Sequence, residues 1–213
     1  MNPSLPPEPR RIDRCVTPET EPLLPDEEAD WIRAAQAGDR AAFARLVDRY
    51  WERLYRWLYQ VTRDRHLAED LTQETFLKAF AAVQSFRAGS NFRAWVFRIG
   101  HNNLVNHKRA DRRTKHQLPD DLAASDLTSA EDTTANREAL EAVSKAVAEL
   151  PAEFRAALML RVDEGLSFRD VARVLETTEE TARWRVFKAR QKLLKILAPE
   201  LLPPGAAAGE PTS

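Results

Sequence analysis

Apolar side chains recur every three or four residues through most of the chain, which is the spacing of helices with one buried face. The stretch from Phe43 to Val61 keeps this spacing over about five turns. No stretch alternates apolar and polar residues with the period of two that a half-buried strand shows. The pattern predicts an all-α protein with helices at about 26–37, 40–63, 66–84, 92–113, 137–149, 151–163, 167–175 and 179–197.

One break in this pattern divides the chain. Residues 116–136 contain five acidic side chains, one proline and no Lys or Arg, and this composition predicts a flexible acidic linker. We therefore expect two small helical domains, at residues 26–115 and 137–197. Proline-rich stretches at 1–25 and 198–213 predict disordered tails.

Charge is nearly balanced over the 213 residues but is unevenly distributed along them. The first thirty residues hold eight acidic side chains against three arginines, whereas residues 178–197 hold six basic and two acidic ones. From Phe92 to Lys115 there are seven basic side chains against a single aspartate. Two basic surfaces separated by acidic segments indicate a protein that binds nucleic acid.

Enzyme chemistry is the least favoured function. The four histidines follow no metal-ligand spacing, no glycine-rich phosphate loop is present, and we expect no cofactor. The single Cys15 precludes an intramolecular disulfide, which fits a reducing cytoplasm. Since no apolar run approaches the ~20 residues of a membrane span, we expect a cytoplasmic protein without direct membrane insertion.

The third predicted helix carries an unusual polar face. Asp70, Gln73, Glu74 and Leu77 lie at i, i+3, i+4 and i+7, so that they share one side of the helix. Taken alone, such an acidic face is most often merely solvated. Its position directly before a basic, aromatic segment favours a second interpretation, in which the face docks a basic partner.

That basic segment, residues 86–113, mixes cations with aromatic rings and with the amides of Asn102, Asn103 and Asn106. Such a mixture suits single-stranded nucleic acid, because cations hold phosphates, rings stack on bases and amides contact base edges. Trp95 lies at helical spacing with Phe92 and Ile99, which favours a place in the core over base stacking.

The acidic helix face, the FRAW turn and the R-I-x-x-N-x-x-x-N run resemble, in order and spacing, domain 2 of the bacterial sigma-70 family. Because the chain has no room for a large middle domain, it is most similar to the small extracytoplasmic-function (ECF) group. The resemblance covers about residues 27–197. It implies that Asp70, Gln73, Glu74 and Leu77 dock on the clamp of core RNA polymerase.

The resemblance also implies that the loop at 86–91 captures a flipped base of the −10 promoter element and that the Lys and Arg side chains beyond it hold phosphates. The implied −10 contacts are Phe86, Ser90, Asn91, Phe92, Asn102, Asn106, Lys108, Arg109, Arg112 and Arg113.

Residues 164–190 predict a helix-turn-helix, in which Ser167 caps the first helix and Thr178 caps the second. This half is similar to sigma domain 4, which binds the −35 promoter element. The second helix should bury a stripe that includes Ala182 and Val186. The expected −35 contacts are Thr178, Arg183, Trp184, Arg185, Phe187, Lys188 and Arg190.

Two residues depart from the family pattern. Trp184 stands where a small polar residue is usual, and the alternative is that Trp184 and Phe187 pack on the earlier helices of their own domain. Glu176 stands where the turn usually has glycine; if its backbone is left-handed, the residue costs ~1–2 kcal/mol there.

Core RNA polymerase and promoter DNA are therefore the expected partners, with an anti-sigma factor as a candidate third and no small-molecule substrate. The main alternative function is a helix-turn-helix regulator that does not bind core polymerase. That alternative explains residues 164–190 but gives residues 68–113 no role.

Overall fold

The structure, a computed structural model, describes residues 25–87, 89–114 and 142–201. Throughout these residues the chain forms helices joined by turns, and no strand occurs among them, which confirms the predicted all-α class. The predicted linker at 116–136, most of both predicted tails and Cys15 lie outside the described residues.

The first helices form an N-terminal bundle. It consists of α1 (Pro25–Gln36), α2 (Arg40–Thr62), α3 (Arg65–Ala82), a short 3-10 turn (Val83–Ser85) and α4 (Phe92–Thr114). Aspartates fix the beginnings of α2 and α3: Asp39 accepts from the amides of Ala41 and Ala42, and Asp64 accepts from that of Leu67.

The buried face of α2 supplies the centre of this bundle with large side chains: Leu46, Tyr50, Leu54, Trp57 and Leu58 are at most 1% exposed. Helix α4 passes close to α2 and α3 at Gly100. A methyl group there would lie 3.0 Å from Leu54 Cδ1 and 3.4 Å from Thr75 Oγ1, so the absence of a side chain permits the crossing.

A C-terminal bundle follows, made of α5 (residues 142–148), α6 (Ala152–Val162), α7 (Phe168–Val174) and α8 (Glu179–Leu201). As predicted, the hydroxyl of Ser167 accepts from the amide of Asp170, and that of Thr178 accepts from Thr181. The predicted stripe of α8 is buried at Ala182, Val186 and Ala189.

The end of α5 is tied to α6 by a buried arginine. One Arg155 nitrogen donates to the carbonyl oxygens of Ala148 and Leu150, at 2.7 and 2.9 Å. Burial, together with the positive charge of Arg63, lowers the pKa of Arg155 to about 10. The two bundles also pack against each other, α6 lying on α2 and α7 on α4.

Candidate nucleic-acid interface

The polar face of α3 is exposed as predicted. Asp70, Gln73, Glu74 and Leu77 are all exposed, and Leu77 is 71% exposed although it is a large apolar residue. On this face Lys78 Nζ lies 2.6 Å from a carboxylate oxygen of Glu74. The opposite side of α3 is buried against the bundle. The polar face therefore remains accessible to a partner.

Phe80 extends the same surface, and the sequence reasoning missed it. Its ring is 45% exposed and meets Phe43 edge to face, with centroids 5.0 Å apart. Phe80 lies three residues after Leu77 and so continues the helical spacing of the exposed face, which is the signal that predicts it. A leucine and a phenylalanine that remain exposed beside carboxylates are typical of a protein-binding surface.

The two aromatic residues at the ends of the α3–α4 loop are buried, although we expected them to contact DNA. Phe86 and Phe92, which we expected to contact the −10 element, are only 5% and 2% exposed. Their rings lie 5.2 Å apart, and Trp95 contacts both at 5.2 and 5.4 Å. Burial of these apolar rings anchors both ends of the loop, so neither ring presents a face to a base. Trp95, as expected, packs against the core.

Ser90 and Asn91 are the exposed polar side chains of this loop among the residues we expected to contact DNA. The chain turns just before them at Gly89, where φ is +77°, a conformation that favours glycine. Asn91 Oδ1 also accepts from the amide of Ala94 at 3.1 Å and so caps the start of α4.

Gln36, at the end of α1, holds the other side of the loop and was not predicted. Its side-chain nitrogen donates to the carbonyl oxygens of Val83 and Phe86, at 3.1 and 2.7 Å. These bonds link residues 47 and 50 positions apart. No local pattern distinguishes such a glutamine from one that merely faces solvent.

The three asparagines of α4 have separate environments. Asn106 is exposed and Asn102 is half-buried, so both can contact a ligand. Asn103 is buried; its oxygen accepts from Lys78 Nζ at 2.7 Å and its nitrogen donates to Thr75 Oγ1 at 3.1 Å. The amide of Asn103 is therefore a structural link between α3 and α4.

His101 occupies the side of α4 that faces α2. Its ring lies 6.4 Å from that of Trp57, and burial lowers its pKa. It is therefore neutral at pH 7 and contributes no positive charge to the basic surface.

The basic end of α4 is exposed where the structure describes it. Lys108 and Arg109 both lie on the surface, one to two turns beyond Asn102. The side chains of Arg112 and Arg113 lie outside what the structure describes.

The recognition helix α8 exposes Arg183, Trp184, Phe187 and Arg190, while Arg185 and Lys188 are partly covered. Arg185 lies 3.5 Å from Glu153 on α6. Trp184 is partly packed on an earlier helix of its own domain, as the alternative expected, and partly exposed. It is 49% exposed, and its ring meets that of Phe154 edge to face at 5.5 Å.

A cation–aromatic stack positions the beginning of this helix. The guanidinium groups of Arg161 and Arg183 lie 5.0 and 4.6 Å from the centre of the Phe168 ring. These residues and Arg169 line a cleft of about 580 Å³ between the turn before α7 and the start of α8. Phe168 and Arg161 were not predicted, because they come together only through packing.

Glu176 adopts the strained backbone that its place in the turn implied, with φ of +49°. Its carboxylate lies 4.0 Å from a nitrogen of Arg98 on α4, with both side chains about half exposed. Such an exposed ion pair contributes little to the stability of the fold.

Among the described residues, no three His, Cys, Asp or Glu side chains group together in a way that could hold a metal ion. In that same part of the chain, no helix is both long and apolar enough to cross a membrane.

Comparison with known families agrees with this geometry. Residues 46–114 match the model of Sigma-70 region 2, and residues 140–193 match that of Sigma-70 region 4. The first match ends with α4, and the second includes α6, α7 and the first fifteen residues of α8.

Curated relatives are similar over about four fifths of the chain. The RNA polymerase sigma-H factor of Pseudomonas aeruginosa is 33% identical over 84% of this chain and 98% of its own length. The ECF RNA polymerase sigma-E factor of Haemophilus influenzae is 31% identical, over 79% of this chain and 94% of its own.

Two solved structures share the fold. The sigma factor RpoE of Bartonella quintana, in complex with the anti-sigma factor NepR, is 28% identical with a TM-score of 0.64 over 73% of this chain and 96% of that one. CnrH, in complex with the cytosolic domain of CnrY, is 25% identical with a TM-score of 0.59 over 82% of this chain and 99% of that one. The chain belongs to the sigma-70 family and, within it, to the ECF group of RNA polymerase sigma factors.

Proposed function

We propose that this chain, as an ECF sigma factor, directs transcription initiation by dividing its contacts among three surfaces. The α3 face binds core RNA polymerase, the α3–α4 loop with α4 binds the −10 element, and α8 binds the −35 element. The observation that carries this proposal is that the α3 face is exposed in the same chain as a helix-turn-helix. A regulator independent of polymerase needs only the helix-turn-helix.

Exposed polar side chains would contact the bases of the −10 element, and buried rings would hold the loop that carries some of them. Ser90, Asn91, Asn102 and Asn106 offer hydroxyl and amide groups that can bond to base edges. The exposed end of α4 carries Lys108 and Arg109, and Arg112 and Arg113 follow them in the sequence. These four cations would hold phosphates and so position the strand. We assign Phe86 and Phe92 to the support of the loop, because both rings are buried.

For the −35 element we propose that α8 enters the major groove with Arg183, Trp184 and Phe187 outward, as recognition helices of this motif do. Arg185, Lys188 and Arg190 supply positive charge along the same helix, and Thr178 fixes its first turn. The stack on Phe168 limits the rotamers of Arg183 and so presents its guanidinium to DNA in a restricted orientation.

We assign the domain of region 2 to residues 26–115, the domain of region 4 to 137–197 and the linker to 116–136. The protein would act by binding alone, without catalysis, a cofactor or a small-molecule substrate, in the cytoplasm where core polymerase works. The two similar structures hold an anti-sigma factor and the cytosolic domain of CnrY. This supports an anti-sigma factor as a further partner.

Charge reversal on α3 tests the proposed function. We expect Asp70→Lys with Glu74→Lys to weaken binding to core polymerase at least tenfold (~1.4 kcal/mol), most strongly at low salt. The fold should persist because both side chains are exposed. The matched control is Glu27→Lys with Glu52→Lys, which reverses two exposed carboxylates on α1 and α2.

Affinity measured by titrating labelled protein with core polymerase should fall only for the α3 pair. If the α3 variant binds as the wild type does, the docking face is misassigned. If the wild type itself does not bind core polymerase, the regulator becomes the better function.

A further inference from the structure

The cleft beside Phe168 is lined by an excess of arginine. It measures about 580 Å³ and lies between the turn before α7 and the start of α8. Its volume is within the range of about 300–1,000 Å³ that is usual for the ligand pockets of proteins. Three guanidinium groups line it against one carboxylate, that of Glu179. A cleft of this size and charge is suited to a small anion.

Phe168 holds two of the three guanidinium groups in place. Those of Arg161 and Arg183 lie 5.0 and 4.6 Å from the centre of its ring. Arg161 Nη1 also donates to the carbonyl oxygen of Leu166 at 2.9 Å. A guanidinium that stacks on a ring keeps N–H groups at its edge for the oxygens of a phosphate. Because both side chains are restricted before a ligand arrives, its binding costs little side-chain entropy.

Arg169 supplies the third guanidinium group. It is exposed and makes no hydrogen bond or ion pair with any other described residue. The carboxylate of the cleft is already paired, since Glu179 accepts from Arg183 at 2.5 Å and both side chains are about half exposed. Exposed pairs of this kind are weak. A bound anion of higher charge can therefore replace Glu179 at Arg183.

The shape of the cleft indicates which anion fits it. Arg161 comes from α6 and is half-buried, whereas Arg169 and Arg183 are exposed. A duplex that lies on the surface meets the exposed pair, but a small anion can also enter and reach Arg161. Two linked phosphate groups offer enough oxygens for all three forks. Phe168 already contacts two guanidinium groups, so recognition rests on phosphates rather than on a stacked base.

We propose that this cleft binds a diphosphate group through Arg161, Arg169 and Arg183, either as inorganic pyrophosphate or at the end of a nucleoside diphosphate. The site itself does not depend on the proposed function. One consequence does rest on it: because Arg183 is also an expected −35 contact, a bound diphosphate should compete with the −35 duplex.

The test titrates the full chain with inorganic pyrophosphate in a calorimeter, without divalent cations and at constant ionic strength. ADP is titrated in the same way, and sulfate is the reference anion. The variants are Arg161→Met and Arg169→Met. Arg161 also bonds to Leu166, so the exposed Arg169 gives the readout that does not depend on folding. The matched control is Arg173→Met, an exposed arginine of the same helix that lies 3.4 Å from Asp170 and outside the cleft.

We expect saturable binding of pyrophosphate with a dissociation constant of about 1 mM or below, and roughly tenfold weaker binding of sulfate. Arg169→Met should weaken pyrophosphate binding about tenfold, because one charge-assisted fork is lost. Arg173→Met should bind as the wild type does. ADP that binds as tightly as pyrophosphate would extend the site to nucleotides, and much weaker ADP would restrict it to the free anion. Pyrophosphate that binds no more tightly than sulfate, or equally well to Arg169→Met, overturns the proposal.

A second arm tests the competition with DNA. The chain bound to core polymerase is titrated with a −35 duplex, with and without pyrophosphate. Pyrophosphate should weaken duplex binding in the wild type and not in Arg169→Met. If Arg169→Met weakens duplex binding although pyrophosphate does not bind, the arginines hold DNA phosphates and the proposal is wrong. Pyrophosphate that binds without affecting the duplex refutes the competition alone. If pyrophosphate binds but the −35 duplex does not, the site stands and the function proposed for α8 fails.

Discussion

The side-chain amide of Gln36 donates to the carbonyl oxygen of Phe86 at 2.7 Å and so joins the first helix to the loop that we assign to the −10 element. A second bond from the same nitrogen reaches Val83 at 3.1 Å. Together the two hydrogen bonds fix the backbone between the end of α3 and the loop.

Replacing this glutamine should loosen the loop. We expect Gln36→Leu to cost ~1–3 kcal/mol, because the carbonyl oxygen of Phe86 loses its side-chain donor, whereas that of Val83 keeps the amide of Phe86. Amide hydrogen exchange at Phe86 should rise. Promoter opening should slow as the loop loses its fixed position. The control is Gln84→Leu, which removes the same kind of side chain from an exposed position of the 3-10 turn that Gln36 contacts. Equal exchange at Phe86 in both variants would contradict the positioning role.

The asparagines of α4 should separate into functional and structural residues. Asn106→Ala should leave thermal stability unchanged and impair promoter opening, because its amide is exposed. Asn103→Ala should instead cost ~1–3 kcal/mol of stability, since it removes the two hydrogen bonds that join α4 to Lys78 and Thr75 of α3. Melting curves and opening assays on an unmelted promoter distinguish them. A normal opening rate for Asn106→Ala would show that the −10 site is misplaced.

Trp184 and Phe187 should differ although both are exposed aromatics of α8. Trp184→Ala should lower both −35 affinity and stability, the latter by ~0.5–1.5 kcal/mol for the lost edge-to-face contact with Phe154. Phe187→Ala should lower affinity and spare stability, because its ring is 55% exposed and lies near the ammonium of Lys188. Denaturant unfolding and titration with −35 duplex give both quantities. A larger stability loss for Phe187→Ala would mean that α8 is rotated.

Glu176→Gly should stabilise the protein by a few tenths to ~1 kcal/mol. Glycine removes the steric cost of the left-handed backbone, although its freedom in the unfolded chain cancels part of the gain. The control is Gln191→Gly, an exposed site within α8, where glycine should cost ~1 kcal/mol. Melting temperatures that fall in both variants would indicate that the turn has a different conformation in solution.

Local patterns predicted the helices, their caps and the exposed α3 face, because each depends on residues three or four positions apart. The family resemblance placed Phe86 and Phe92 among the −10 contacts, although an apolar ring beside a loop is equally compatible with contact to a base and with a place in the core. Burial against Trp95 decides between them, and that contact depends on how the loop folds back. Gln36 carries no local signature because its partner Phe86 lies 50 residues away.

The close crossing of helices at Gly100 bears on how the promoter preference of such a factor can change. Even the methyl group of alanine would lie 3.0 Å from Leu54 Cδ1 there, so α4 cannot shift on α2 and α3 without repacking the bundle. Asn106 and Asn102 on the same helix are exposed and half-buried, so either can be replaced without moving α4. We therefore expect new promoter preferences to arise from single substitutions at such amides, while the glycine that sets the position of the helix stays the same.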